Sequence, residues 1–267
     1  MSRPFAATPR GLPLAWARIL GAVRGRLAYR LARMDRRRAD AALGKWLGED
    51  EASRRAHLCR AAFISSGRAE AELSAVRGWS ARRLCRRSSL EGWRHLVAAE
   101  ERGRGVLILP LPSATWPLVP VAVGLYRGVV DLPPTTGGKQ LMSWGAGLAP
   151  EPIFRPHDTL AAALARLGPG RRVLSPPFDP SFARSSDGGR LRPALAAAEA
   201  AREHDAPWVP MAAGPAPDGG FRLVVEPPIE PAGSPNEILR RAMDAIEQEA
   251  RRRPETFPWW QIDPGEM

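Results

Sequence analysis

The sequence is short of cysteine, tyrosine, histidine and lysine. Its 267 residues include two cysteines, two tyrosines and four histidines, and Lys45 and Lys139 are the only lysines among 39 basic residues. Cys59 and Cys85 are too few for a disulfide scaffold or a zinc cluster and fit a reducing compartment. No metal-ligand spacing is present, and no metal or cofactor is expected. No run approaches the ~20 apolar residues that a membrane-spanning helix needs. The longest near the start, Leu12 to Val23, is interrupted by Arg18, and Arg24 and Arg26 follow it where a signal peptide would carry small residues. The arginines are scattered, with neither Cys/His finger spacing nor an aromatic-basic motif beside them, so nucleic acid is not the expected partner.

What is there in quantity is positive charge. Thirty-nine basic against 28 acidic residues leave a net +11, which points to an anionic partner. The N-terminal region suggests which. At helical spacing Trp16, Ile19, Leu20, Val23, Leu27 and Leu31 share one face, while Arg18, Arg24, Arg26, Arg30 and Arg33 fall largely elsewhere. Such a helix can lie in the headgroup layer of an anionic bilayer; it can equally pack on the body of the protein. We expect a membrane-surface helix over residues 1–34, with Trp16, Ile19, Leu20, Val23, Arg24 and Leu27 at the bilayer.

Residues 35–104 read as helical, with Gly67, Gly78 and Ser88–Ser89 marking helix ends and a short helix closing near Glu101. The pattern then changes. Val106-Leu107-Ile108-Leu109 is a continuous apolar run between Gly105 and Pro110, the mark of a strand buried on both faces. Further strands are expected at 129–131, 152–154, 172–174, 208–211 and 221–226. Helical patterns lie between them at 118–125, 141–148, 158–167 and 192–204. Strands alternating with helices predict an α/β fold, a central mixed sheet flanked by helices over 105–262, forming one domain with the helical N-terminal region. Ser234, Pro235 and Glu237 predict a capping box that opens a last helix ending near Arg253.

Open α/β sheets bind ligands beyond the carboxyl ends of their strands. The turn Pro110-Leu-Pro-Ser-Ala-Thr-Trp-Pro117 is therefore the place to look. Residues Gly105 to Pro117 resemble the strand-turn-helix of the lauroyl/myristoyl lipid A acyltransferases, where a similar strand runs into His-Phe-Gly-Asn-Trp-Glu. The segments Ala206-Pro-Trp-Val-Pro210, Asp218 to Glu230 and Pro254-Glu-Thr-Phe-Pro-Trp-Trp260 are similar to later blocks of that family. Val173 to Asp179 is similar to its Leu-Pro-Asp-x-Asp segment, with Pro177 in place of one Asp. The resemblance implies a glycerolipid acyltransferase-like fold. It implies acyl transfer from an acyl carrier protein thioester to a lipid hydroxyl at the bacterial inner membrane, where the N-terminal amphipathic helix is expected to seat the chain peripherally on the cytoplasmic face.

The departures fall at the reacting centre. In the family a His removes the acceptor's proton and a Glu five residues on orients it. Without gaps, those positions fall on Pro112 and Pro117, which supply neither base nor charge nor a backbone N–H. The block Gly137 to Trp144 offers Lys139 as its only cation where the family carries an Arg, and Gln261-Ile262-Asp263 stands where the family continues His-Arg-Arg. The resemblance thus implies an acyltransferase with impaired chemistry. The alternative is a non-catalytic protein that binds lipid or carrier protein, or scaffolds an active partner. Candidate substrate-binding residues are Ser113, Thr115, Trp116, Lys139, Asp179, Arg190 and Arg192. Ser113 and Thr115 otherwise serve the turn, Asp179 is otherwise a turn residue, and the two arginines are otherwise plain surface charge. No catalytic residue is assigned. His157 is the best placed substitute base, against a reading as a loop residue beside an N-cap Asp158. His57, His95 and His204 read as helix-face residues, and Glu100–Glu101 as a solvated helix end.

Overall fold

The computed structural model describes residues 12–134, 138–175 and 188–262, with side chains from Leu141 onward in the second stretch and from Arg192 onward in the third. Three helices come first, α1 (Leu14–Leu31), α2 (Arg33–Leu47) and α3 (Ala52–Val76). α1 buries its small residues, Ala17, Gly21, Ala22 and Gly25, and lies along α3. The approach is close because the crossing carries almost no side chain. A Cβ on Gly21 would sit 2.6 Å from the Arg68 Cα, and one on Gly25 would sit 2.6 Å from the Ile64 Cα. Gly67 is the reciprocal contact: it lies in the middle of α3, not at a helix end as its residue type suggests, because backbone meets backbone there.

Next come α4 (Ala81–Arg86), β1 (Ser88–Glu91) and α5 (Trp93–Glu101). The helical reading of 35–104 therefore needs one correction: Ser88–Ser89 open a strand. The four residues Ser-Ser-Leu-Glu have no apolar run, and only pairing with a distant segment makes them a strand.

The rest alternates as expected: β2 (Val106–Pro110), α6 (Leu118–Arg127), β3 (Val130–Leu132), α7 (Gly138–Ala146), β4 (Phe154–Pro156), α8 (Leu160–Leu164) and β5 (Arg172–Leu174). It closes with α9 (Gly188–Glu203), β6 (Trp208–Pro215), β7 (Phe221–Val225) and α10 (Pro235–Arg252). Ser234 and Glu237 form the predicted capping box at the start of α10. Thr159, not Asp158, caps α8, its hydroxyl accepting from the Ala162 N–H.

The seven strands form one mixed sheet in the order β1-β7-β6-β2-β5-β3-β4. All described neighbours are parallel except β6 and β7. β2 is central and buried at every residue, which is why its sequence shows no alternation. Leu107, Leu109 and Val173 face a core built from α2, α8, α9 and α10, while Val106, Ile108 and Leu174 face α5, α6 and α7. Short 3-10 turns at Pro254–Thr256 and Trp259–Gln261 lay the C-terminal aromatics against this body. Trp259 is fully buried with its indole N–H donating to the Pro254 carbonyl at 2.6 Å, and Trp260 stacks 4.4 Å from Phe63 on α3.

Candidate functional site: a groove between α1, α3 and the turn after β2

The turn after β2 is pinned to β6. Thr115 Oγ1 donates to the Ala213 carbonyl oxygen at 2.7 Å, and Ser113 Oγ lies 3.2 Å from that same oxygen and 3.2 Å from Thr115 Oγ1. Both residues are buried. Their hydroxyls are committed to a backbone carbonyl, so they hold the turn in place and are not activated as nucleophiles.

Above this turn lies an open groove of about 390 Å³. Its floor is Ser113, Ala114 and Thr115, one end is Pro215 and Ala216 of the β6 end, and Thr256 joins from the C-terminal turn. The walls are Arg18 and Ile19 of α1 with Ser65, Arg68, Ala69 and Glu72 of α3. Glu72 is 3% exposed, and Arg18 donates to it while also reaching the Gly220 carbonyl at 3.4 Å. This ion pair ties α1 to α3 at the groove wall and neutralises the one acid that lines it among the described residues. No histidine lines the groove among the described residues.

Pro112 and Pro117 bracket the floor and are half-buried, with Pro117 leading into α6. Trp116 is half-buried against the core on the α5–α7 side rather than in the groove wall. Lys139 and Arg190 fall on helices but their side chains, with Asp179, lie outside the described residues. Arg192 is exposed on α9. Of the seven candidates, the structure brings Ser113 and Thr115 together. The residues that sequence reasoning missed are Arg68, Glu72 and Thr256, together with the groove-wall places of Arg18 and Ile19. They come from separate segments, and no local motif marks them.

His157 is more than a loop residue. Its Nε2 lies 2.8 Å from Oδ1 of Asp131, a carboxylate with 0% exposure, and Arg155 is 3.5 Å from the same oxygen. Asp131 is on β3 and His157 follows β4, three and four strands from the β6 carbonyl that anchors the turn. At ~4.8 Å per strand that is about 14–19 Å, too far for His157 to serve the groove as a base. Glu100 is not a solvated helix end either: its side chain is 8% exposed and accepts from both Arg127 and Arg172. The other three histidines lie on or just beyond helices, as expected.

The outer face of α1 continues from the groove. Trp16, Ile19, Leu20, Val23, Leu27 and Leu31 are 43–65% exposed. With Met34, they make seven of the eight exposed large hydrophobic residues described. Arg24, Arg26 and Arg30 lie on the same helix, Arg24 within 3.6 Å of Glu70. The burial of α1 is thus inverted from the usual pattern, with small residues inside and large apolar ones out. No helix among the described residues is long and apolar enough to cross a membrane.

Residues 5–131 match the sequence model of the bacterial lipid A biosynthesis acyltransferase family. The match supports that family, the one the strand and turn resemble, and with it an acyltransferase-type function. It takes in α1 to β3, and so includes the strand, the turn and both groove helices. It ends at Asp131, so the resemblances in 206–230 and 254–260 lie beyond it. No curated protein matches the chain closely enough to name a relative.

Proposed function

We propose that this protein is a diverged lipid A-type acyltransferase seated on the cytoplasmic face of the bacterial inner membrane. It holds an acyl-bearing substrate in the groove without efficient acyl transfer. One observation carries the reading: the groove over the turn opens beside the outward apolar face of α1. A contiguous apolar surface of this kind on a soluble face marks an interaction site. Arginines beside it suit anionic lipid, with α1 lying in the interface plane. A lipid drawn from that surface reaches the groove at Ile19.

The chemistry of the groove supports binding over turnover. Transfer to a hydroxyl needs a base for its proton, and Pro112 and Pro117 occupy the positions where the resemblance implies one. Loss of general-base help costs about 10²–10⁴ in rate. The basic surface also suits an acidic carrier protein that delivers a thioester. The non-catalytic reading, a lipid- or carrier-binding partner of an active enzyme, is favoured by the same commitment of Ser113 and Thr115 to the Ala213 carbonyl.

Vesicle flotation tests the membrane seat. Wild type should float with vesicles containing anionic lipid and release at high salt. Val23→Asp, a change at a half-exposed position, should stay at the bottom with an unchanged melting temperature. Wild type that ignores anionic vesicles, or a variant that floats equally well, overturns the reading.

A further inference from the structure

The groove carries an uneven set of charges. Arg18 is committed to Glu72 and to the Gly220 carbonyl, and Glu72 is buried and neutralised by it. Arg68, one helical turn before Glu72 on α3, lines the same groove and is exposed. It makes no hydrogen bond or ion pair among the described residues. The described lining side chains therefore sum to one positive charge, held by a fork-shaped donor that matches a carboxylate in two-point contact.

Size and hydrophobicity narrow the ligand further. A volume of about 390 Å³ is at the small end of the ~300–1,000 Å³ range of ligand pockets, room for a headgroup and part of one chain. Ile19 lines the groove and is also part of the exposed stripe with Trp16, Leu20 and Val23. An alkyl chain leaving the groove over Ile19 has an apolar track to follow.

We propose that the groove takes a single-chain amphiphile with one negative charge, a long-chain carboxylate, with its head at Arg68 and its chain passing over Ile19. This deepens the function proposed above by naming the ligand class and its anchor, and it rests on the groove being the lipid site. The charge selects against neutral and cationic heads. The single apolar exit selects one chain.

Calorimetry with monomeric dodecanoate, below its micelle concentration and without vesicles, tests it. Wild type should bind dodecanoate, and dodecyl maltoside and dodecyltrimethylammonium should bind at least tenfold more weakly. Arg68→Gln should weaken dodecanoate about ten- to hundredfold, the worth of a charge-assisted contact, and leave the maltoside unchanged. Arg68→Lys should recover part of the loss, and Ile19→Ser should weaken both ligands. No binding of dodecanoate by wild type, equal binding by Arg68→Gln, or tighter binding of dodecyl phosphate than of dodecanoate overturns the proposal. The flotation assay separates the two claims: wild type that floats on anionic vesicles yet ignores dodecanoate sinks this inference alone.

Discussion

Replacing Gly21 should loosen the contact that positions α1. The glycine sits in a helix, where alanine is intrinsically better by about 0.5–1 kcal/mol. Against this, a Cβ there overlaps the Gly67 carbonyl oxygen and lies 2.6 Å from the Arg68 Cα, while ordinary contact begins at 3.4 Å, so α1 must retreat by at least about 0.8 Å or α3 must yield. Overpacking of this kind costs about 1–3 kcal/mol. The steric term wins, and Gly21→Ala should lose up to about 2 kcal/mol, or a fall of up to roughly 8 °C at 2–4 °C per kcal/mol for a chain of this size. Gly21→Leu cannot be absorbed by so small a shift and should lift α1 from α3, opening the groove. Gly44→Ala is the control: its Cβ meets nothing closer than the Arg55 Cδ at 3.7 Å, an ordinary contact, and it should gain the helical term. Thermal unfolding gives the size, and hydrogen exchange over residues 14–31 gives the place. A Gly21→Leu protein with wild-type melting and undiminished protection of α1 would refute the backbone-contact account of this crossing.

Other consequences follow from single contacts. Arg18→Met leaves Glu72 buried without its partner and should cost about 3 kcal/mol, whereas Arg18→Met with Glu72→Met should recover most of that; equal losses by chemical denaturation would count against the pair. Burial pushes the Cys59 thiol up to about 11, so in the folded protein it should resist alkylation at neutral pH until unfolding exposes it; rapid native labelling at Cys59, read by peptide mass, would contradict that packing. Burial also raises the Glu249 carboxyl above the ordinary glutamate range, despite Arg253 and Arg252 beside it. The folded state then holds that proton more tightly than the unfolded one, and the ionised form weakens the fold as pH rises. Glu249→Gln should therefore melt higher than wild type at pH 7, with the difference vanishing as pH falls through the Glu249 pKa; a constant offset across pH would rule out the cause.

Much of the fold was legible because its signals are local. β2 announces itself as an apolar run since both its faces are covered, and the capping box at Ser234 needs only four residues. The stripe on α1 was legible as a helical face, although its small-residue reverse was not read as a packing surface. β1 escaped because its four residues become a strand only by pairing with β7, more than 130 positions away. The groove was half legible. Ser113 and Thr115 lie where a strand ends, but the Arg18–Glu72 pair spans 54 positions and Arg68 belongs to a helix with no motif. His157 was misread for the same reason: its partner Asp131 is 26 residues away, and only the parallel pairing of β3 and β4 brings them together.

The central claim is an acyl-binding frame whose proton-transfer pair has been replaced by Pro112 and Pro117. It is tested most directly by the rate at which vesicle-bound wild type consumes an acyl carrier protein thioester in the presence of a lipid hydroxyl acceptor. Consumption should be no faster than with vesicles alone. Sustained turnover that forms the acylated lipid would contradict it.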